Sequence, residues 1–586
     1  MMAERRNGVT AVRAGWAVAF LMLVSVGFLQ GQQDQITRAF DMERRGNYTG
    51  AADAYRAVLA TRPADPGALL GLERALTALN RIPDIIPQVQ AALGTRPNSS
   101  AIYSVALRAW SALDRPDSAR KALDLWVAIQ PNDEAPYREW ANLALSKRDR
   151  QEARRTYQVA RERLRAPDAL AAEVAQVAML DEDFPTAVKE WAAAIRRSPG
   201  YRVNAVNTMS SAAERNRPLI LRELEKEGTE EARQLAGSLN ARWGNPVAGF
   251  RLLGGALPRA NGPAIDVLRQ FLDVVQPLDT REARQAQGMA YEAMAVRSTG
   301  QQASRYRLDA ARVYADAGDG ESAHRMLSAL ATDPNAPRGV ASDASGTLVT
   351  VLLEEGKVEQ ASRELAQHRN ALSPEQYQTL SRKLAMGWAR AGNLDRADEA
   401  IAGDSTVEGL DVAGRLKLFR GDLVAANTLL RSAGPYAGSR EESTSRSALL
   451  ALLQPIAEDS LPELGAALLD LERRDTAKAI TGLDRLANRL PAEAGGAELR
   501  LQVGRLQRAR GQNTEAERSF RAAAASGAQA TTPAAFLELG RLLLAVDRKA
   551  ESQATLEQLI LDFPGSAVTP QARRLLDEIR GAVPRT

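Results

Sequence analysis

No cysteine occurs in the chain. Its absence excludes disulfides, thiolate nucleophiles, Cys-ligated zinc, iron–sulfur clusters and the lipidated cysteine of a bacterial lipoprotein. Histidine is almost as scarce, with only His324 and His368. Two imidazoles cannot supply a multi-histidine metal site and barely admit a Ser-His-Asp triad, so no metal and no cofactor is expected. An excess of one charge sign is missing as well: 76 Lys+Arg face 72 Asp+Glu, a net charge of +4 over 586 residues. The basic residues are not gathered on one face, which argues against nucleic acid as a partner. The aromatic fraction is 5%, and the hydrophobic fraction of 45% beside a charged fraction of 25% is that of an ordinary globular chain rather than a disordered or polytopic membrane one.

One long apolar run breaks this pattern. Arg5, Arg6 and Arg13 precede an uncharged stretch from Ala14 to Leu29. A secretory apolar region spans about 7–15 residues and a membrane-crossing helix about 20, so residues 1–31 read either as a cleaved signal peptide or as a short uncleaved anchor. Basic residues stay on the cytoplasmic side, so both readings place the rest of the chain outside the cytoplasm, in the periplasm or cell envelope. Inner-membrane contact is then expected only through that segment, if it is retained.

The body is a repeat of period 34. Pro63, Pro97, Pro131 and Pro199 fall 34, 34 and twice 34 apart, and Ala119, Ala153 and Ala187 are spaced by 34. Tyr103 and Tyr137, then Tyr157 and Trp191, keep the same step. The alanines are expected where a second helix crosses a first, since a close crossing admits little more than a methyl. Tyr55, Leu123, Tyr157, Trp191, Phe520 and Leu556 lie one turn later and are expected to fill the gap toward the neighbouring unit. Proline then ends the helix at a fixed phase. The pattern resembles the tetratricopeptide repeat, a helix–turn–helix unit marked by an aromatic, Leu-Gly and Tyr in its first helix and by Ala, an aromatic and Pro in its second. The predicted fold class is therefore all-α, an α-solenoid of tandem tetratricopeptide-like helix–turn–helix repeats.

Signatures weaken downstream, at the glycines Gly244, Gly318, Gly356, Gly392, Gly421 and Gly511, whose spacing is irregular. The expected organisation is a regular array over 32–200, a divergent helical array over 201–432, a possible linker over 433–447, a carboxy-terminal array over 448–565, and a capping helix and tail over 566–586. Carboxylate chemistry is the one enzymatic route the composition admits. Glu-Ser dipeptides at Glu321, Glu442 and Glu551 are similar to the catalytic glutamate of lytic transglycosylases, but each falls in a repeat or linker and no lysozyme-like domain is left over. The chain is expected not to be an enzyme. The tryptophans, among them Trp110, Trp126, Trp140 and Trp191, are expected in the core.

In tetratricopeptide proteins the first helices line a concave surface. Counted from the aromatic step, one solvent-facing phase falls at Arg74, Arg108, Asn142 and Gln176, again 34 apart, with Arg138 one turn before Asn142. Arg74, Arg108, Arg138 and Asn142 resemble the carboxylate-gripping groups of peptide-binding members, although the clamp pattern of those members is not reproduced residue for residue. The alternative is a solvated polar face in an arginine-rich protein. The resemblance implies a non-enzymatic scaffold that binds protein partners, through an extended peptide segment, in exopolysaccharide export or outer-membrane assembly. The other class left open is an envelope protein that binds or cleaves peptidoglycan or polysaccharide.

Overall fold

The computed structural model describes residues 35–434 and 437–581; the apolar leader over 1–31 lies outside the described residues. Among the described residues every named element is helical, and the sole β pairing is one isolated antiparallel bridge between Asp422 and Ser460. No described helix is long and apolar enough to cross a membrane. The fold is an all-α solenoid of tandem tetratricopeptide-like hairpins, and contacts divide it into two units, one ending at Leu278 and one beginning at Asp279.

The first unit is a succession of hairpins whose geometry follows from the 34-residue ladder. Its first helices are 35–44, Pro66–Ala78, Ser100–Ala112, Ala135–Ser146, Ala171–Leu180, Tyr201–Ser210, Glu230–Arg242 and Asn261–Val275. The second helices of the regular hairpins include Tyr48–Thr61, Pro116–Ile129, Arg150–Leu164 and Phe184–Arg197. Each tight turn within a hairpin needs one residue in the left-handed region. Gly46, Asn80, Asp114, Arg148 and Glu182 occupy it at φ 78°, 55°, 50°, 64° and 56°, at intervals of 34. Only the first is a glycine, so the regular array carries mild backbone strain at four successive turns. Aspartates then start the second helices: the Asp149 carboxylate accepts from the Glu152 N–H at 2.9 Å and that of Asp183 from the Thr186 N–H at 3.3 Å, satisfying otherwise orphaned donors. Where the proline ladder skips a step, Arg165 ends its helix instead, in the left-handed region at φ 52°.

The core follows the expected phases. Ala119, Ala153 and Ala187 are buried at the helix crossings, and Tyr103, Trp126, Tyr157 and Trp191 are all at most 2% exposed. Tyr103 stacks on Trp126 with ring centroids 5.6 Å apart. Trp110 and Trp140 are only half-buried; the Trp140 indole N–H donates to Glu152 at 2.9 Å, and Arg120 lies over its ring. The large residue one turn after the alanine does not always face the same way. Tyr55 lies against Gly71 in the next hairpin, where an added Cβ would sit 2.3 Å from the ring, whereas Phe520 and Leu556 lie on Gly504 and Gly540 of their own hairpins.

In the second unit the hairpins continue, with glycine taking the left-handed turn at Gly318, Gly356, Gly392, Gly421 and Gly511. The stretch 433–447 contains the start of an additional helix, Arg440–Leu453. The first helix Val407–Phe419 packs on Pro462–Glu472, and the returning chain is tied to the Gly421 turn by Leu423 N–H to Asp459 O at 3.0 Å and Leu461 N–H to Gly421 O at 2.7 Å. Arg446 anchors the additional helix. It is fully buried, donates to Asp411 at 2.8 Å, and caps the Gly434 and Ala437 carbonyls at 2.6 and 2.8 Å. The last helix, Thr569–Ile579, covers the array with Ala572 and Leu576.

Candidate functional site

Arg74, Arg108, Arg138, Asn142 and Gln176 all lie on first helices of the regular array. Asn142 and Gln176 are exposed. The three arginines are engaged within the chain. Arg74 grips Glu43 with two bonds, Nε at 2.8 Å and Nη2 at 3.0 Å. Arg108 grips Glu73 with two bonds of 2.7 Å and reaches Glu139 with a third of 2.8 Å. Arg138 donates to Glu173 at 2.5 Å and to Glu134 of its own helix at 3.1 Å. Glu134 also takes Arg197 from a second helix.

These pairs form a ladder of alternating charge across five successive first helices. Its arithmetic is that of the repeat. Glu43 to Arg74 and Arg108 to Glu139 are 31 residues apart, while Glu73 to Arg108 and Arg138 to Glu173 are 35 apart. An offset of one more or three fewer than 34 differs by four residues, one helical turn, so both acids fall on the helix face beside the arginine. The acidic half of the ladder was therefore present in the sequence, at offsets that a search for identical phases passes over. The electrostatics follow from it: the hydrogen bonds that Arg74 donates hold the Glu43 carboxyl below its ordinary range, and those that Arg108 donates to Glu73 push the Arg108 guanidinium up.

The same device recurs elsewhere. In second helices Arg161 grips the buried Glu190 with bonds of 2.9 and 2.6 Å. In the carboxy-terminal array Arg508 donates to Glu538 at 2.6 Å, and Arg548 bridges Glu517 and Glu551. Arginine over lysine suits this role, since a planar fork matches a carboxylate with two parallel bonds.

Two of the three glutamates of the Glu-Ser dipeptides, Glu442 and Glu551, have structural roles. Glu442 closes a capping box with Ser439, and Glu551 is held by Arg548, both carboxyls being lowered by those hydrogen bonds. His324 Nε2 lies 3.2 Å from Glu355, and His368 Nε2 lies 3.3 Å from Glu364. Among the described residues no three His, Cys, Asp or Glu side chains gather to hold a metal. A cleft of about 880 Å³ in the second unit is ringed by Lys383, Arg390, Arg473 and Arg474 with Glu354 and Glu472. Part of its charge is spent internally, as Arg390 pairs with Glu472 at 2.9 Å and Arg473 donates to the Arg390 carbonyl at 2.8 Å.

One group escaped the sequence reading altogether. Arg202, on Tyr201–Ser210, is 6% exposed and among the described residues has no carboxylate on it: Nη1 donates to Gln270 at 2.8 Å and Nη2 to Gln234 at 2.7 Å. Its helix lies where the turn ladder stops, a 3₁₀ segment at Glu214–Asn216 replacing the tight turn, so no register was visible there.

No protein-family model matches the sequence, and no curated protein matches it. Among solved structures, the chain aligns over 92% of its length with 95% of a chain in the crystal structure of the APC/C hetero-tetramer Cut9-Hcn1, at 13% identity and a TM-score of 0.20. It aligns over 94% of both chains with the structure of Naa15/Naa10 bound to HypK-THB, at 11% identity and a TM-score of 0.22. Whole-chain superposition at these scores is poor, and the solenoid assignment rests on the repeated hairpins themselves.

Proposed function

We propose that the chain is a non-enzymatic scaffold of tetratricopeptide type that binds protein partners along its first helices, and that it does so in the cell envelope. The observation that carries the binding reading is the continuous polar row on successive first helices, with Asn142 and Gln176 exposed in register with the arginines. Because Arg74, Arg108 and Arg138 already hold carboxylates, an incoming acidic segment exchanges one ion pair for another. Such an exchange gains little, so the ladder aligns a partner more than it holds it. The amide ends of Asn142 and Gln176 add hydrogen bonds at that register without breaking any pair of the ladder.

The envelope reading is supported by Arg5, Arg6 and Arg13 ahead of the apolar stretch Ala14 to Leu29. Within the envelope, the role we assign is organisation of exopolysaccharide export or outer-membrane assembly. A reporter fused at the carboxy terminus tests the location, since activity of a cytoplasm-only reporter contradicts it. Affinity capture from the native envelope, with Asn142→Ala/Gln176→Ala as the comparison, tests the binding. A defined protein recovered with the parent and depleted with the variant supports the scaffold; turnover of purified peptidoglycan or polysaccharide supports a glycan-active protein instead.

A further inference from the structure

Buried charge without a counter-ion is costly, and chains keep it only where something returns the cost. Arg202 is such a charge. It is more than nine-tenths buried, both of its bonded partners are neutral glutamines, and among the described residues its Nε has no hydrogen-bond partner. Glu231, the acid whose field reaches it, lies beside Arg196 at 3.7 Å. Burial accordingly pulls the Arg202 guanidinium below its ordinary range. This contrasts with Arg74, Arg108 and Arg138, each of which has a carboxylate.

Arg202 lines a cleft of about 170 Å³ built by three successive first helices, Tyr201–Ser210, Glu230–Arg242 and Asn261–Val275. Arg242 lines it too, and donates to the Asn207 amide oxygen at 3.3 Å. Asp273 is the one carboxylate among the lining residues, beside two guanidinium groups, which leaves one positive charge over. Val203, Val206 and Val274 give the cleft an apolar side, beside the polar Asn207, Ser238 and Gln270. A single carboxylate on a short methylene stem matches both features: it neutralises the surplus charge, and its stem lies on the valines. A phosphate dianion would overshoot the charge, and the cleft is too small for a larger polyanion.

We propose that this cleft receives the side-chain carboxylate of an aspartate or glutamate from an extended acidic segment of a partner protein. The site rests on the reading of the first helices as the partner-binding face, yet it lies outside the ladder from Arg74 to Gln176 and is tested apart from it. The buried guanidinium, held in place by Gln234 and Gln270, supplies a charged bond shielded from water, which is where such bonds are strongest.

The test uses the full chain and three labelled hexapeptides: hexaglutamate blocked at both ends, hexaglutamine blocked at both ends, and hexaserine with a free terminal carboxylate. Anisotropy should show binding of blocked hexaglutamate only, weakened at least tenfold by Arg202→Met and by Arg242→Ala. Arg242 is exposed, so its variant folds even if Arg202→Met does not. Absence of hexaglutamate binding, or binding that neither variant weakens, overturns the proposal, and equal binding of hexaserine overturns the assignment to an acidic side chain. If the peptide binds unaltered in both variants, the cleft is refuted while partner binding by the first helices stands; partner capture that fails while the peptide binds does the reverse.

Discussion

Arg108 joins three first helices, and its removal measures what the charge ladder contributes. In Arg108→Met the aliphatic stem is kept while three charged hydrogen bonds, two of 2.7 Å to Glu73 and one of 2.8 Å to Glu139, are lost. The side chain of Arg108 is 36% exposed, whereas those of Glu73 and Glu139 are 14% and 21% exposed. Fully exposed pairs contribute about 0.2–1 kcal/mol, and breaking a buried pair costs about 3–5 kcal/mol because a covered charge is left behind. Two mostly covered carboxylates sharing one half-covered cation fall between, at about 1–3 kcal/mol. Arg74→Met, with one partner and a side chain 51% exposed, should cost about 0.5 kcal/mol. A repeat array need not unfold in one step, so amide exchange resolved by helix is the suitable assay. At about 2 kcal/mol the amides of Pro66–Ala78, Ser100–Ala112 and Ala135–Ser146 would exchange roughly thirtyfold faster, since each 1.4 kcal/mol is a factor of ten. Molar salt, with a screening length of about 3 Å, should narrow the gap between parent and variant. Exchange in Arg108→Met equal to that of the parent would refute the ladder as a stabilising element and leave it a solvated face.

Other features give sharper contrasts. Gly71→Ala places a Cβ 2.3 Å from the buried Tyr55 ring and should cost about 1–3 kcal/mol, whereas Gly262→Ala meets nothing within 4 Å in a helix and should gain up to about 1 kcal/mol; thermal melting separates them. Ala153→Leu or Ala187→Leu overpacks a helix crossing and should cost about 1–3 kcal/mol, with the loss of exchange protection starting in the surrounding hairpins. Burial pushes the Tyr55 and Tyr157 hydroxyls up to about 12, so the folded chain holds protons that the unfolded chain loses above about 10; stability should be intact below pH 10 and fall as pH rises through 12, less so in Tyr157→Phe.

The parts of this chain that sequence made legible are those in which each repeat solves the same packing problem with the same residue type. The alanine crossings, the aromatic fill and the prolines recur because volume and backbone geometry at those points admit few side chains. The left-handed turn is equally fixed in geometry, yet Asn80, Asp114, Arg148 and Glu182 tolerate it at a small cost, so its regularity is hidden from residue identity. The charge ladder is hidden for a different reason. A guanidinium reaches acids on either of two adjacent turns, so its partners sit at offsets of 31 or 35 rather than 34. The row Arg74, Arg108, Asn142 and Gln176 was visible as a phase, but the carboxylates already on it were not. Arg202 and Arg446 were invisible because their surroundings come from hairpins that depart from the period, one beside a 3₁₀ segment and one on the additional helix.

Partner binding along the first helices is tested most directly by position-specific photocrosslinking in the native cells. A photoreactive residue at Asn142 or Gln176, exposed on first helices, is compared with one at Gln151 or Arg155, exposed on the second helix Arg150–Leu164. The account predicts a discrete protein adduct from positions 142 and 176 and little from 151 and 155. Adducts from the second-helix positions alone, or none from 142 and 176, would contradict it.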